Sequence, residues 1–100
     1  MARIELDVDR DDAVPYFNWD VAVTNREVRA ALRSDDDEDA RLFWMARILT
    51  EARYTDVWRY LSLRRDVLPR WEQLRTMLGR RRDFWEFLID GWRADGLVSQ

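Results

Sequence analysis

The feature that most constrains the fold is a stretch of helix-periodic apolar residues between Arg41 and Leu61. At about 100° per residue, one broad face of this stretch is apolar, and Arg47, Thr50 and Glu51 lie opposite. The apolar face comprises Leu42, Trp44, Met45, Ala46, Ile48, Leu49 and Ala52. Such a face must be buried, so the pattern predicts a helix from about Asp36 to Arg53 that packs against other elements.

A second strong pattern predicts a helix from Arg81 to about Asp95. Its apolar residues are predicted to share one side of the helix, and they are Phe84, Trp85, Phe87, Leu88, Ile89 and Trp92. We expect this side to pack directly against the helix that starts near Asp36.

Local signals predict where the other helices begin. Thr24 and Glu27 form the pattern of a capping box, which opens a helix over Asn25 to Arg33. Thr55 has the residue type of an N-cap and predicts a short helix through Leu61. Ser62 is the predicted cap of the next helix.

Two residues predict interruptions in the C-terminal half. Pro69 cannot donate a helical hydrogen bond, so we expect a break or kink near Leu68. Gly79 follows and is a plausible helix stop before the last helix.

These patterns together predict an all-α fold, a compact single-domain bundle of about four to six helices. Residues 15–96 form the helical domain, residues 1–14 an extended N-terminal arm and residues 97–100 a tail. Residues 3–8 alternate between polar and apolar types, which is typical of a half-buried strand, but no second strand follows. The arm could be disordered, pair with its copy, or add to a partner's sheet edge. A loose arm is favoured because chain termini are usually poorly ordered.

The composition excludes most catalytic and metal sites. The 100 residues include no cysteine and no histidine, so thiolate ligands, the commonest metal-binding imidazole and the usual general base are missing. We therefore predict no enzymatic activity, no cofactor and no metal. No apolar run approaches the roughly 18 to 20 residues of a membrane span, so we predict a cytoplasmic protein without a membrane partner.

Charge is distributed unevenly along the chain. Residues 1–40 hold 12 acidic residues against 5 arginines, whereas residues 41–100 hold 8 against 12. The acidic run from Asp35 to Asp39, which includes the candidates Asp35, Asp36 and Asp37, predicts either favourable electrostatics at a helix start or a patch for a basic partner. Arginines from Arg64 to Arg82 form a basic stretch that could bind nucleic acid, although Asp66, Glu72 and Asp83 dilute it.

Two groups of residues are not explained by the predicted helix packing. Phe43 lies off the apolar face beside Arg47, so either the aromatic segment near Tyr16 folds back over it or a partner covers it. Folding back within the chain is favoured. Trp58, Arg59 and Tyr60 lie on a short helix that cannot turn every aromatic ring inward. The candidate partner-binding residues are Phe43, Arg47, Trp58, Arg59, Tyr60, Asp35, Asp36 and Asp37.

Three segments resemble one bacterial family. They are Y-F-N-W-D from Tyr16, R-I-L-T-E-A-R-Y-T-D-V-W-R-Y-L from Arg47, and F-W-E-F from Phe84. In this order they resemble small bacterial helical proteins encoded beside nucleotidyltransferases of the abortive-infection (AbiEii-like) toxin type. The resemblance covers residues 15–92, and Asn18 stands where the family pattern has another aromatic residue.

The resemblance implies an antitoxin-like protein that neutralises a cognate nucleotidyltransferase toxin by binding it. It carries over no established functional residue. The alternative function is that of a nucleic-acid-binding autoregulator that contacts phosphates through the Arg64 to Arg82 face.

Overall fold

A computed structural model of the chain describes residues 8–97. The predicted strand pattern at residues 3–8 therefore lies outside the described residues except at its last position. Val8 is buried, and both Val8 and Asp9 have a helical backbone, so this position does not belong to a strand.

Five α-helices have their bounds within the described residues. They are α1 (Asn25–Arg33), α2 (Glu38–Glu51), α3 (Tyr54–Tyr60), α4 (Trp71–Leu74) and α5 (Arg82–Ala94). A short helical turn at Tyr16–Asn18 precedes α1, and four more lie between α3 and α5, at Leu63–Val67, Leu68–Arg70, Arg75–Met77 and Gly79–Arg81. Residues 8–97 include no β-strand, and the predicted all-α single-domain bundle is confirmed.

Several predicted helix boundaries are confirmed by side-chain caps. The Thr24 hydroxyl accepts from the Glu27 amide at 3.3 Å, and the Thr24 amide donates to the Glu27 carboxylate at 2.9 Å. Ser62 caps the π-helical turn Leu63–Val67 by accepting from the Arg65 amide at 3.2 Å. The turn that carries Pro69 begins at Leu68, where the break was expected.

Two helix starts differ from the prediction. α2 begins at Glu38, two residues later than predicted, because the Asp37 carboxylate accepts from the Ala40 amide at 3.0 Å and so acts as the N-cap. The prediction that Thr55 caps α3 is wrong, since the helix begins at Tyr54. A tertiary contact explains the earlier start: the Arg53 amide, just before α3, donates to the Tyr16 hydroxyl at 2.7 Å.

The core forms around α2, as its apolar face predicts. Met45, Ile48 and Leu49 are fully buried, and α5 contributes Trp85 and Ile89. The Trp85 indole donates to the Leu49 carbonyl at 2.8 Å, which satisfies one of the carbonyls that a helix leaves free at its C-terminal end. The predicted packing of α5 against α2 is confirmed at this contact.

The prediction that Phe87 shares the buried side of α5 is wrong. Phe87 lies about 200° from both Trp85 and Ile89 on the helix, so burying those two residues turns Phe87 outward. Its side chain is 77% exposed.

Residues 8–14 lie against α1, and the rest of the arm predicted for residues 1–14 lies outside the described residues. The amides of Asn25 and Arg26, which have no partner inside the helix, donate to the Ala13 and Asp11 carbonyls at 2.9 Å each. The Asn25 side chain also donates to the Arg10 carbonyl at 2.8 Å. The first turn of α1 thus holds the preceding chain in place.

We expect Trp85→Phe to lower the free energy of unfolding by about 2 to 4 kcal/mol, since it leaves the Leu49 carbonyl without its donor and opens a cavity. Urea denaturation measures this change. Trp19→Phe is the matched control, and it should shift stability by less than about 0.5 kcal/mol because Trp19 is largely exposed. Equal effects at the two positions would contradict the assignment of Trp85 to the core.

Candidate protein-interaction surface

Arg47 fixes the N-terminal aromatic segment on the outer side of α2. Its Nε donates to the Phe17 carbonyl at 3.2 Å, and its guanidinium forms an ion pair with Asp20. Phe17 is buried and makes an edge-to-face contact with Tyr60, with the ring centres 5.3 Å apart. Trp19 lies in sequence between Phe17 and Asp20, the two residues that Arg47 holds, and its side chain is 77% exposed.

A groove lies beside Arg47 on the same helix. Phe43 and Met77 are its exposed apolar residues, 49% and 42% exposed, and its volume is about 240 Å³. The remaining lining residues are Ala46, Arg47, Thr50 and Glu51. The prediction that the aromatic segment covers Phe43 is wrong, because that segment is held at Arg47 and Phe43 instead contacts Trp44 edge-to-face.

A second, shallower depression of about 400 Å³ surrounds Trp19. Its lining residues are Val14, Asn18, Trp19, Asp20, Val21 and Ala22. The buried Asn18 side chain donates to the Val23 carbonyl at 2.9 Å, but its Oδ1 has no hydrogen-bond partner among residues 8–97. Through its bond to the Val23 carbonyl, Asn18 shapes the turn that presents Trp19.

The Asp20–Arg47 ion pair joins the groove and the depression. Arg47 lines the first and Asp20 the second, so the exposed rings of Trp19 and Phe43 flank a neutralised pair of charges. We refer to Trp19, Asp20, Phe43, Arg47 and Met77 as the Trp19–Phe43 surface. It contains two of the predicted partner-binding residues, and Trp19, Asp20 and Met77 were not predicted.

The three candidate residues on α3 are used within the domain. Trp58 is half-buried, and its ring centre lies 5.8 Å from that of Trp85. Both carboxylate oxygens of Asp9 accept hydrogen bonds from Arg59, at 2.6 and 2.7 Å. Tyr60 is buried, and its hydroxyl donates to the Asn25 Oδ1 at 2.6 Å. Burial raises the pKa of Tyr60 above its ordinary value. Tyr60 therefore does not belong to an exposed surface.

The acidic candidates lie at the start of α2. The Asp37 carboxylate caps the helix, and Asp35 forms an ion pair with Arg41 at 2.9 Å. Asp36 is exposed and forms no ion pair within the described part of the chain. Asp37 thus has the helix-start role that the charge pattern predicted, Asp35 has an ion-pair partner on the same helix, and none of the three carboxylates lines the Trp19–Phe43 surface.

Most arginines of the Arg64 to Arg82 stretch are compensated by carboxylates. The shortest ion-pair distances are 3.3 Å for Arg65–Asp66, 2.9 Å for Arg70–Glu38, 2.6 Å for Arg75–Glu86, 3.6 Å for Arg80–Glu51 and 3.0 Å for Arg82–Glu86. Arg81 stacks over the Phe84 ring, 4.7 Å from its centre. Pairing of this kind weakens the positive field that phosphate binding requires.

Comparison of the sequence with protein-family models, with curated proteins and with solved structures found no match. Across residues 8–97, no helix is both long and apolar enough to cross a membrane. The same residues bring together no group of three or more side chains suited to hold a metal ion.

The Glu86 contacts predict a pH dependence of stability. Hydrogen bonds from Arg75 and then Arg82 lower the pKa of Glu86 in the folded protein. A lowered folded-state pKa stabilises the protein above the unfolded pKa, and this stabilisation is lost as the pH falls through the folded value. We expect Glu86→Gln to reduce the loss of melting temperature between about pH 6 and about pH 3.

Thermal unfolding across this pH range measures the effect. Glu72→Gln serves as the control. It removes a carboxylate that is 81% exposed and whose one ion-pair partner within residues 8–97 is Arg75, at 3.3 Å. If the Glu86→Gln curve ran parallel to that of the wild type, the Glu86 contacts would not be the source of the acid sensitivity.

Proposed function

We propose that this chain is an antitoxin-like protein-interaction module that binds and neutralises a nucleotidyltransferase-type toxin in the cytoplasm. The observation that carries the proposal is the Trp19–Phe43 surface, where two exposed aromatic rings flank the Asp20–Arg47 ion pair. The class of the partner follows from the resemblance of the Tyr16, Arg47 and Phe84 segments to the antitoxin-like family.

The surface has the properties of a protein-binding site. Aromatic residues and arginine dominate the binding energy of protein interfaces, and burying a side chain as large as Phe43 yields about 1.5 to 3 kcal/mol. Arg47 already holds the Trp19 turn at both Phe17 and Asp20, so little ordering is left to occur on binding. Preorganisation of this kind favours affinity because the entropic cost was met during folding.

The alternative of nucleic-acid binding is less well supported. The arginines it would use are mostly paired with carboxylates of the same chain, and the formal net charge of the chain is −3. A phosphate-binding face would instead need several arginines without such partners. Catalysis is not part of the proposal, since the chain has neither histidine nor cysteine for acid-base or nucleophilic chemistry.

The proposal is tested by co-expressing the chain with the nucleotidyltransferase encoded by the adjacent reading frame and measuring co-elution and toxicity. We expect a stable complex and suppressed toxicity. Trp19→Ala and Phe43→Ala should each weaken binding by about tenfold or more, as truncation of an aromatic hot spot does. Leu97→Ala is the control, an exposed apolar residue outside the surface, and it should leave binding unchanged.

The possible outcomes test the proposed function and the proposed binding surface separately. If no nucleotidyltransferase is encoded nearby, or the two proteins do not associate, the antitoxin-like function is wrong. If they associate but the Trp19 and Phe43 variants bind like the wild type, a different surface makes the contact. Specific binding of promoter DNA that declines steeply with salt would favour the autoregulator instead.

A further inference from the structure

The outward face of α5 combines an exposed aromatic ring with carboxylates. Phe87 is at its centre, opposite the buried Trp85 and Ile89. Asp83 and Asp90 lie four residues before and three residues after Phe87, positions that share a helix face with it. Both carboxylates are exposed, and neither forms an ion pair within residues 8–97. We call Asp83, Phe87, Asp90 and Gly91 the α5 face.

The nearby arginines do not neutralise this face. Arg82 donates to Glu86 at 3.0 Å, Arg80 pairs with Glu51 at 3.6 Å, and Arg81 stacks on Phe84. Arg93, three residues after Asp90, forms no ion pair within residues 8–97. The α5 face therefore keeps two carboxylates without an ion-pair partner beside an apolar ring. Such a surface attracts a partner of positive charge.

Gly91 leaves room beside Phe87. Apart from Gly91 itself, its two chain neighbours and the nearby backbone of α5, no atom of the described residues lies within 4 Å of the position where a Cβ would stand at Gly91, and the residue is exposed. An apolar side chain of a partner could therefore approach the α5 backbone closely at this point and contact the Phe87 ring.

We propose that the α5 face docks a basic amphipathic helix of another protein. Asp83 and Asp90 are seven residues apart, about 10.5 Å along the helix axis at 1.5 Å per residue. A partner helix with Lys or Arg at positions i and i+7, and a large apolar residue between them, would pair both carboxylates and cover Phe87. The α5 face shares no residue with the Trp19–Phe43 surface, so this inference stands independently of the proposed function.

A second copy of this chain fits the face poorly. In an antiparallel pair related by a two-fold axis at Phe87, Asp83 of one copy would lie close to Asp90 of the other. In a parallel pair, each aspartate would lie level with its own counterpart. Both arrangements bring like charges together, which disfavours association.

The test uses two synthetic helical peptides and the full chain, with binding measured by fluorescence anisotropy. One peptide has lysines at i and i+7 with leucines between them, and the other has glutamates in place of the lysines. We expect saturable binding of the lysine peptide that weakens as salt is raised, and no binding of the glutamate peptide. Phe87→Ser, and separately Asp83→Asn with Asp90→Asn, should each weaken binding about tenfold.

Matched variants elsewhere decide whether the α5 face is the site. Trp19→Ser changes an equally exposed ring, and Asp35→Asn with Asp36→Asn removes two carboxylates from the acidic run. Both should bind the lysine peptide like the wild type. The inference is overturned if these controls weaken binding as much as the α5 variants, or if Phe87→Ser has no effect. It is also overturned if sedimentation shows a dimer that Phe87→Ser dissociates.

Discussion

Hydrogen bonds that converge on α3 hold the N-terminal part of the described chain against the helical core. The buried Asp56 carboxylate accepts from the Tyr16 hydroxyl at 2.7 Å, and Tyr60 donates to Asn25 at 2.6 Å. A buried carboxylate or hydroxyl without a partner would be costly, so these bonds make the docked arrangement strongly preferred. They place Phe17 in the core, and its carbonyl then lies within reach of Arg47. The presentation of Trp19 thus depends on contacts made at α3.

Features governed by neighbouring residues could be predicted from the sequence. The capping box at Thr24, the cap at Ser62 and the break before Pro69 involve contacts within a few residues, which a local pattern contains. The start of α3 could not be predicted in this way, since it depends on Tyr16, 37 residues before Arg53. The exposure of Phe87 could not be predicted either. The apolar residues of α5 cover a broad arc of the helix, and only the fold determines which part of that arc packs against the domain.

The candidate surface was predictable only in part for the same reason. Phe43 and Arg47 stood out because they lie off the apolar face of a regular helix. The role of Arg47 required knowledge of Asp20, 27 residues away, and Met77 joined the groove through the fold alone. Arg59 was attributed to a partner because its ion-pair partner Asp9 lies 50 residues earlier, in a segment predicted to be loose. Such long-range contacts within the chain are not visible in a local sequence pattern.

The exposed rings of Trp19 and Phe87 also bear on colloidal behaviour. Apolar rings left in water favour non-specific association, and mutual repulsion between like-charged molecules opposes it. The formal net charge of −3 provides only weak repulsion, and the net charge falls to zero near the isoelectric point of about 5.0. Around that pH the exposed apolar rings would no longer be opposed by repulsion between charged molecules. Mildly acidic buffers are therefore the conditions in which the isolated protein should precipitate most readily.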